Sequence, residues 1–460
     1  MRALLIPVLL VSSASAAVSV APLFSDHAVL QRDRPVPVWG RAADGETVKV
    51  TFHGETVATR TNAQGRWEVK LPAMAATSDG ADLVIEGSSK ITLHDVVVGE
   101  VWLCSGQSNM GFVLSRALNA PDEIAASANP LLRELTIGGG PAAAPVETVR
   151  TSGWVPAAPQ TTANFTAVGY FFARELIQKL HVPVGLIKSA SGGTPVEAWM
   201  SAEAFAGDPA FAAIAERSRA EEDAMSGKGG YPVQLAAWQK AAAAAGAAGP
   251  AAQAAFLKDT PQPLPQPHAT KSPMVLFNGK IAPVKPYAFR GVLWYQGEAN
   301  STRPQEYHAL FSALITTWRA YFGVGDFPFY WVQLPNFAAG DAGGLKWAAL
   351  REAQSQTLAL PNTGQAIAID VGEADNIHPL QKVPVGHRLA LLAETRLYGF
   401  TDEASGPVFK SAALTGREFT LTLEHAAGLR AQGGEVHAVE LAGADKIFHA
   451  AQARIDGDRL

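Results

Sequence analysis

One stretch constrains this 460-residue chain more than any other, Val96 to Met110, which reads VVVGEVWLCSGQSNM. From Val96 to Cys104 it is apolar and rich in β-branched residues, without the alternation of a half-wet strand, so it predicts a strand buried on both faces. Such a strand belongs in a parallel sheet covered on both sides. It then breaks into Ser105, Gly106, Gln107, Ser108 and Asn109, which delivers a hydroxyl at the carboxyl end of a core strand, the edge where open α/β sheets hold ligands. The pattern is like the strand-turn-helix elbow that exposes a catalytic serine, except that Met110 stands where the commoner G-x-S-x-G has its second glycine. A plain helix N-cap wants the same small polar residues, and locally both readings stand.

The remainder supplies the sheet. Val184 to Ser189, Gly291 to Tyr295, Phe329 to Leu334 and Gln365 to Val371 read as further strands, and apolar residues recur at three and four over Val168 to Leu180, Glu306 to Phe322 and Trp347 to Leu358. Strands alternating with helices predict an α/β fold with a covered parallel sheet, over residues 96–400. Residues 18–95 are instead all-β, with short runs such as Val36 to Trp39, Thr47 to Phe52, Arg66 to Lys70 and Asp82 to Glu86 between turn signals, and predict a small β-sandwich. Such a module binds glycan or simply packs, and packing is the expectation. Residues 201–271, Ala-rich and then Pro-rich (TPQPLPQPH), read as an inserted helical excursion ending in an extended linker, while 401–460 return to strand-like segments at Glu418 to Leu423 and Glu435 to Leu441.

Composition narrows the function class. The formal charge of -5 gives no reason to expect a nucleic-acid or anionic-membrane partner. Cys104 is the only cysteine, so an intrachain disulfide is impossible, and on its strand it reads as a small core residue. Met1-Arg2, the apolar Ala3 to Val11 and Ala14-Ser15-Ala16 have the form of a secretory signal over 1–17. No later apolar run approaches the roughly 20 residues of a membrane span, so a soluble, secreted mature protein is expected. Nothing specifies its oligomeric state.

Each chemically suggestive group falls just past a predicted strand: Ser108, then Gly192-Gly193-Thr194, then Gln296-Gly297-Glu298, then Asp375-Asn376-Ile377-His378. If the strands align their carboxyl edges, these loops share one crevice. A serine hydroxyl needs a base to take its proton and the base needs an acceptor to hold its tautomer, which assigns Ser108 as nucleophile, His378 as base and Asp375 as partner. Glu298 competes for that last role, and an Asx-type turn is the alternative use of the Asp-x-x-His loop. Backbone amides at Gly192, Gly193 and Ser108, with the Gln296 carboxamide, are candidate oxyanion donors. Gln107, Asn109, Glu298 and Asn300 are expected to bind substrate or brace the loops. One His with one Asp falls short of the three or four ligands of a zinc site, so neither metal nor cofactor is expected.

These blocks resemble a known family. Gly106-Gln107-Ser108-Asn109-Met110, Gly192-Gly193-Thr194-Pro195-Val196-Glu197-Ala198-Trp199, Trp294-Tyr295-Gln296-Gly297-Glu298-Ala299-Asn300 and Asp375-Asn376-Ile377-His378-Pro379 are similar to those of the sialate O-acetylesterases, within the SGNH hydrolases. Leu23-Phe24-Ser25-Asp26 and Val385-Gly386-His387-Arg388-Leu389-Ala390 resemble the family's opening β-domain and closing helix. The resemblance implies a flavodoxin-like three-layer α/β/α fold and metal-free removal of acetyl groups from sugar hydroxyls. It places Ser108 as nucleophile, His378 as base, Asp375 as its partner, and Gly193 and Gln296 as oxyanion donors. Two departures stand out: Gln296-Gly297-Glu298 occupies the region where the SGNH pattern has asparagine, and the C-terminal β-region is expected to be shortened.

The expected function is therefore a secreted carbohydrate O-acetylesterase acting on an O-acetylated carbohydrate, with sialate esters and acetylated plant polysaccharides such as xylan both open as substrates. A non-catalytic glycan-binding module on the same fold is the reading from another class. The intact serine, Asp-x-x-His and diglycine favour the enzyme.

Overall fold

In the computed structural model, residues 17–226, 230–260, 270–338, 340 and 344–460 are described. The segment 1–16 that carries the signal-like sequence, and most of the Pro-rich linker, lie outside them. The described residues form two compact units, one through Gly386 and one from His387 onward.

The first unit is organised on one large sheet. Its strands are β1 (Val29–Gln31), β2 (Lys90–Gly106), β3 (Asn129–Thr136), β4 (Trp154–Ala157), β5 (Val184–Ala190), β6 (Gly291–Tyr295), β7 (Phe329–Val332) and β8 (Thr363–Ala366). The central order is β4-β3-β5-β2-β6-β7-β8. Neighbours from β3 to β8 run parallel, and β4 joins β3 antiparallel at the edge. Strand β2 lies at the centre because every residue from Val96 to Gly106 is buried, as its unbroken apolar run requires. Trp102 on β2 packs against Phe172 (ring centroids 5.0 Å apart) and Tyr330 (5.9 Å), filling space on the sheet that smaller side chains would leave open.

Helices connect the strands: α1 (Ser108–Gly111), α2 (Ala167–Leu180), α3 (Pro304–Phe322) and α4 (Leu345–Gln356). Thr166 caps α2, its hydroxyl accepting from the Gly169 amide. Helix α3 buries Tyr307, Leu310, Phe311, Leu314, Ile315 and Trp318 at helical spacing. That stripe, including Trp318 edge-on to Trp294 at 5.9 Å, holds the helix to the sheet and fixes the direction in which β6 ends.

Three sequence expectations change. The break expected at residue 95 falls inside β2, whose first half pairs antiparallel with Thr77–Glu86 and parallel with β1, so the N-terminal strands and the central sheet share one strand. Glu100 strengthens the join: wholly buried, it takes Arg32 Nε at 2.5 Å and Arg290 Nε at 2.7 Å. Strand β3 had no apolar signature, because its buried face carries charge: Glu134 accepts from Lys188 Nζ (2.8 Å) and Arg133 pairs with Asp95 (3.1 Å). The last strand is Thr363–Ala366 rather than Gln365–Val371, and Ile369–Val371 forms a helical turn instead.

The insertion is helical, with segments at Ala202–Gly207, Ala212–Ser226, Gly230–Ala247 and Pro250–Asp259. In the second unit Val408–Thr415 and Glu418–Glu424 form an antiparallel hairpin, and Glu440–Ala442 pairs with Phe448–Ala450. No helix among the described residues is long and apolar enough to cross a membrane.

Candidate active site

The register aligns the carboxyl ends of the three central strands, with Gly106 opposite both Ala190 and Tyr295. The loops after β2, β5 and β6 therefore leave the sheet at one edge. Gly106 makes the first of these turns: its φ is +128°, and a Cβ there would lie 2.2 Å from the Tyr295 carbonyl oxygen. Only glycine allows this approach. The Gln107 amide then donates to that same carbonyl at 2.9 Å, which turns the chain against β6 and makes Ser108 the first residue of α1.

Ser108 Oγ lies 2.8 Å from His378 Nε2. With the imidazole neutral and its proton on Nδ1, the hydroxyl donates to Nε2, the geometry a general base needs before attack. Burial lowers the His378 pKa, and the charges of Lys382 and Arg116 lower it further, so the ring is held in the neutral, proton-accepting form. Phe112 stacks beside it, with centroids 6.5 Å apart and planes 28° apart.

The loop carrying the base is built as an Asx-type turn, but on Asn376 rather than Asp375. Asn376 Oδ1 accepts the His378 amide (3.0 Å), its Nδ2 donates to Glu373 Oε2 (2.9 Å), and Glu373 Oε1 accepts the Leu380 amide (2.7 Å). Asp375 is exposed. No hydrogen bond or ion pair joins it to His378 among the described residues, so the structure brings together two members of the expected triad and leaves the third in solvent.

Gln296 also departs from its expected role. It is fully buried, its Nε2 donates to Thr194 O (3.1 Å) and Asn300 Oδ1 (2.7 Å), and its Oε1 accepts from Tyr307 (2.9 Å). With both amide hydrogens used inside the protein, it has none to offer an oxyanion. Asn300 is likewise internal, donating to Glu197 Oε2 at 2.8 Å while its oxygen accepts the Val196 amide at 2.9 Å. Asn109 braces as well: its Nδ2 donates to Glu298 Oε1 (2.6 Å) and Ile377 O (3.0 Å). Among the described residues no hydrogen bond or ion pair joins Glu298 to His378, and the Glu298 pKa is raised by burial against the opposing pull of the Asn109 hydrogen bond.

The Ser108 and Gly193 amides remain available, since neither donates to a protein acceptor among the described residues. Gly193 adopts φ +68°, a conformation that favours glycine and turns its amide out of the strand direction. Both residues line a cavity of about 740 Å³ with Gln107, Glu298 and His378. Ile214, Arg217 and Ser218 of the insertion, with Lys271, complete its wall. The insertion thus belongs to the site.

Three charged residues of the site had no sequence signal, Lys382, Arg303 and Arg217, and Glu197 stood out only as part of the diglycine block. Glu197 Oε1 accepts Arg303 Nη2 at 2.6 Å, and Arg217 bonds both oxygens of Glu306 at 3.2 Å. Each partner lies on another loop or helix, beyond any short-range pattern. Among the described residues no three His, Cys, Asp or Glu side chains cluster as metal ligands would.

The chain is similar to proteins named as esterases. A family profile described as carbohydrate esterase, sialic acid-specific acetylesterase, matches residues 98–229 and 276–393, its gap falling mostly within the insertion. The sialate O-acetylesterase of Rattus norvegicus is 30% identical over 88% of this chain and 78% of its own length. The human sialate O-acetylesterase is 28% identical over 86% and 74%. A carbohydrate acetylesterase structure from Xanthomonas citri superposes with a TM-score of 0.81 at 37% identity, covering 96% of this chain and 90% of that one. With its Ser108 turn, diglycine loop and His-bearing loop all inside the matched residues, the chain belongs to the sialic acid-specific acetylesterase family of carbohydrate esterases and is a carboxylic ester hydrolase.

Proposed function

We propose that the protein is an exported O-acetylesterase of acidic sugars, sialate esters first among them, working through an acyl-enzyme on Ser108. The observation that carries this reading is the 2.8 Å contact of Ser108 Oγ with His378 Nε2, at a cavity lined by Ser108 and Gly193, whose amides have no protein acceptor among the described residues. Ser108 Oγ attacks the acetyl carbonyl carbon as its proton passes to His378 Nε2. The oxyanion is met by the Gly193 and Ser108 amides, each such donor being worth about 3 kcal/mol of barrier. Collapse expels the sugar oxygen, which takes the proton back from His378. Water, deprotonated by the same ring, then attacks the acetyl-serine and releases acetate.

Asp375, three residues away on the same loop and with no hydrogen bond or ion pair among the described residues, is the carboxylate that could turn from solvent to His378 Nδ1. The acidic-sugar preference is supported by the substrate in the relatives' names and by Lys271 on the cavity wall, where Arg217 and Arg303 are already engaged by Glu306 and Glu197. The flavodoxin-like three-layer arrangement of the SGNH hydrolases, behind an N-terminal β-domain, fits the parallel order around β2. Export rests on the signal-like Met1 to Ala16.

The test is an ester panel of O-acetylated sialic acid, acetylated xylan oligosaccharides and p-nitrophenyl acetate. The wild type should prefer the sialate ester. Ser108→Ala should lose at least about 10⁴-fold in kcat while keeping its circular dichroism and melting temperature, since the hydroxyl is no part of the core. Preference for xylan esters would move the substrate assignment. A wild type that turns over none of the panel but binds the glycans would make the protein a lectin-like module.

A further inference from the structure

The catalytic pair leaves one buried cation unexplained. Lys382, four residues beyond His378, is 1% exposed. Among the described residues its ammonium makes one hydrogen bond, to Asn109 Oδ1 at 2.6 Å. The Phe112 and Tyr295 rings cover it, their centroids 4.7 and 5.4 Å from Nζ. Removing an ammonium from water for a single oxygen and two ring faces is costly, and a hydrophobe of similar volume would fill the space more cheaply.

What the charge does follows from the chemistry of a carboxamide. Asn109 exchanges its oxygen and NH₂ by a half-turn with almost no change of shape. Beside Lys382 the oxygen must face the cation, so the NH₂ is directed the other way, onto Glu298 Oε1 at 2.6 Å and the Ile377 carbonyl at 3.0 Å. Ile377 O belongs to the peptide that enters His378, and Asn109 directly follows Ser108. One amide, oriented by one cation, thus ties the nucleophile turn to the loop of the base. Phe112, over which Lys382 sits, also stacks beside the His378 ring.

We propose that Lys382 is a positioning residue for the hydrolysis: it orients Asn109 so that His378 is held at reach of Ser108, and its positive charge opposes a second one on the imidazole. The proposal rests on the Ser108–His378 reading above. The carboxylates acting on Lys382 are Glu298, from the loop after β6, and Glu373, from the loop of the base; Arg116 lies over the same Phe112 ring at 5.0 Å. Burial dominates and lowers Lys382 to about 7, with the two carboxylates pulling upward. Above that pH the neutral amine still donates to Asn109 Oδ1 and His378 is already neutral, so the effect of the charge is confined to the acid side of the activity profile.

Two variants separate orientation from charge. Lys382→Met keeps the volume and removes both donor and charge; Lys382→Gln keeps a donor without the charge. Each is assayed with p-nitrophenyl acetate from about pH 4 to 9, beside the wild type and Ser108→Ala. Lys382→Met should lower kcat about 10- to 100-fold with KM changed less than about three-fold. The acid limb of its kcat/KM should move up by about half a pH unit or more, as expected when a like charge is removed. Lys382→Gln should recover much of kcat yet keep the raised acid limb. If Lys382→Met matches the wild type in kcat and acid limb, the residue only fills space and the proposal fails. If Lys382→Met does not fold, Lys382→Gln decides: a raised acid limb supports the proposal and a wild-type one overturns it. A Ser108→Ala enzyme that still turns over would overturn the underlying mechanism instead, whereas an inactive one beside wild-type-like Lys382 variants overturns only the role of Lys382.

Discussion

The carboxamide of Asn109 donates to the carbonyl of Ile377 at 3.0 Å across 268 positions of sequence, so the residue after Ser108 grips the peptide before His378. Its Asn109 end is fully buried and its Ile377 end half-buried, so the bond forms where lowered dielectric strengthens it and leaving the amide unpaired is costly. The Ser108–His378 distance is therefore set by buried contacts between the loops rather than by the conformation of a free loop tip.

The pH dependence follows from the ring's surroundings. The proposed mechanism needs His378 neutral, and burial first, then Lys382 and Arg116, lower its pKa. Activity should accordingly survive to more acidic pH than the ordinary histidine value of about 6.5 would allow. The acid limb of kcat/KM on a neutral ester measures it; a limb above about 6.5 would contradict the electrostatics of this site.

Asp375 and Glu298 can be separated by paired substitutions. Asp375 is exposed and Glu298 is buried against Asn109. A solvated carboxylate orients an imidazole less firmly than a buried one, so Asp375→Asn should cost about 10- to 100-fold in kcat, short of the roughly 10⁴ seen for the buried aspartate of a serine protease. Glu298→Gln keeps an oxygen for Asn109 and should cost about ten-fold or less. Both are read on one acetyl ester at saturation; a larger loss from Glu298→Gln would make the loop after β6 the source of the catalytic acid group.

Gly106→Ala tests the turn itself. The new Cβ would meet the Tyr295 carbonyl at 2.2 Å from a φ of +128°, so either β6 shifts or the turn opens. The Ser108 hydroxyl moves in both cases, and kcat should fall about 100-fold, with a lowered melting temperature. Wild-type kcat in a well-folded Gly106→Ala enzyme would show that the turn is not what places the serine.

Glu100 tests the join between the N-terminal strands and the sheet. Burial alone would raise its pKa, but hydrogen bonds and charge from Arg290 and Arg32 outweigh burial and hold it low. A carboxylate depressed in the folded state contributes stability above its unfolded pKa of about 4.3 and loses it as pH falls through the folded value. Glu100→Ala takes the buried carboxylate from two guanidinium groups that still face Asp33 at 3.4 and 3.6 Å and should cost about 3 kcal/mol near neutral pH, with a smaller penalty in acid. Denaturant titrations at both pH values measure this; a pH-independent loss would mean that packing, not charge, makes the join.

Short-range chemistry made the central strand, the serine turn, the diglycine and the histidine loop readable from residue order alone. An unbroken apolar run has only one stable place, inside a covered sheet, and a small polar break after it has only one edge at which to emerge. The partners were not readable in that way. Asn376 rather than Asp375 builds the turn of the base, Gln296 spends its amide hydrogens on Thr194 and Asn300, and Lys382 meets Asn109 across the molecule. Strand β3 escaped notice because the charges that break its apolar pattern are neutralised by residues from other strands and loops. Which polar atom meets which is decided only when parallel strands bring distant loops to one edge, because each buried donor must then find its acceptor among whatever neighbours the fold supplies.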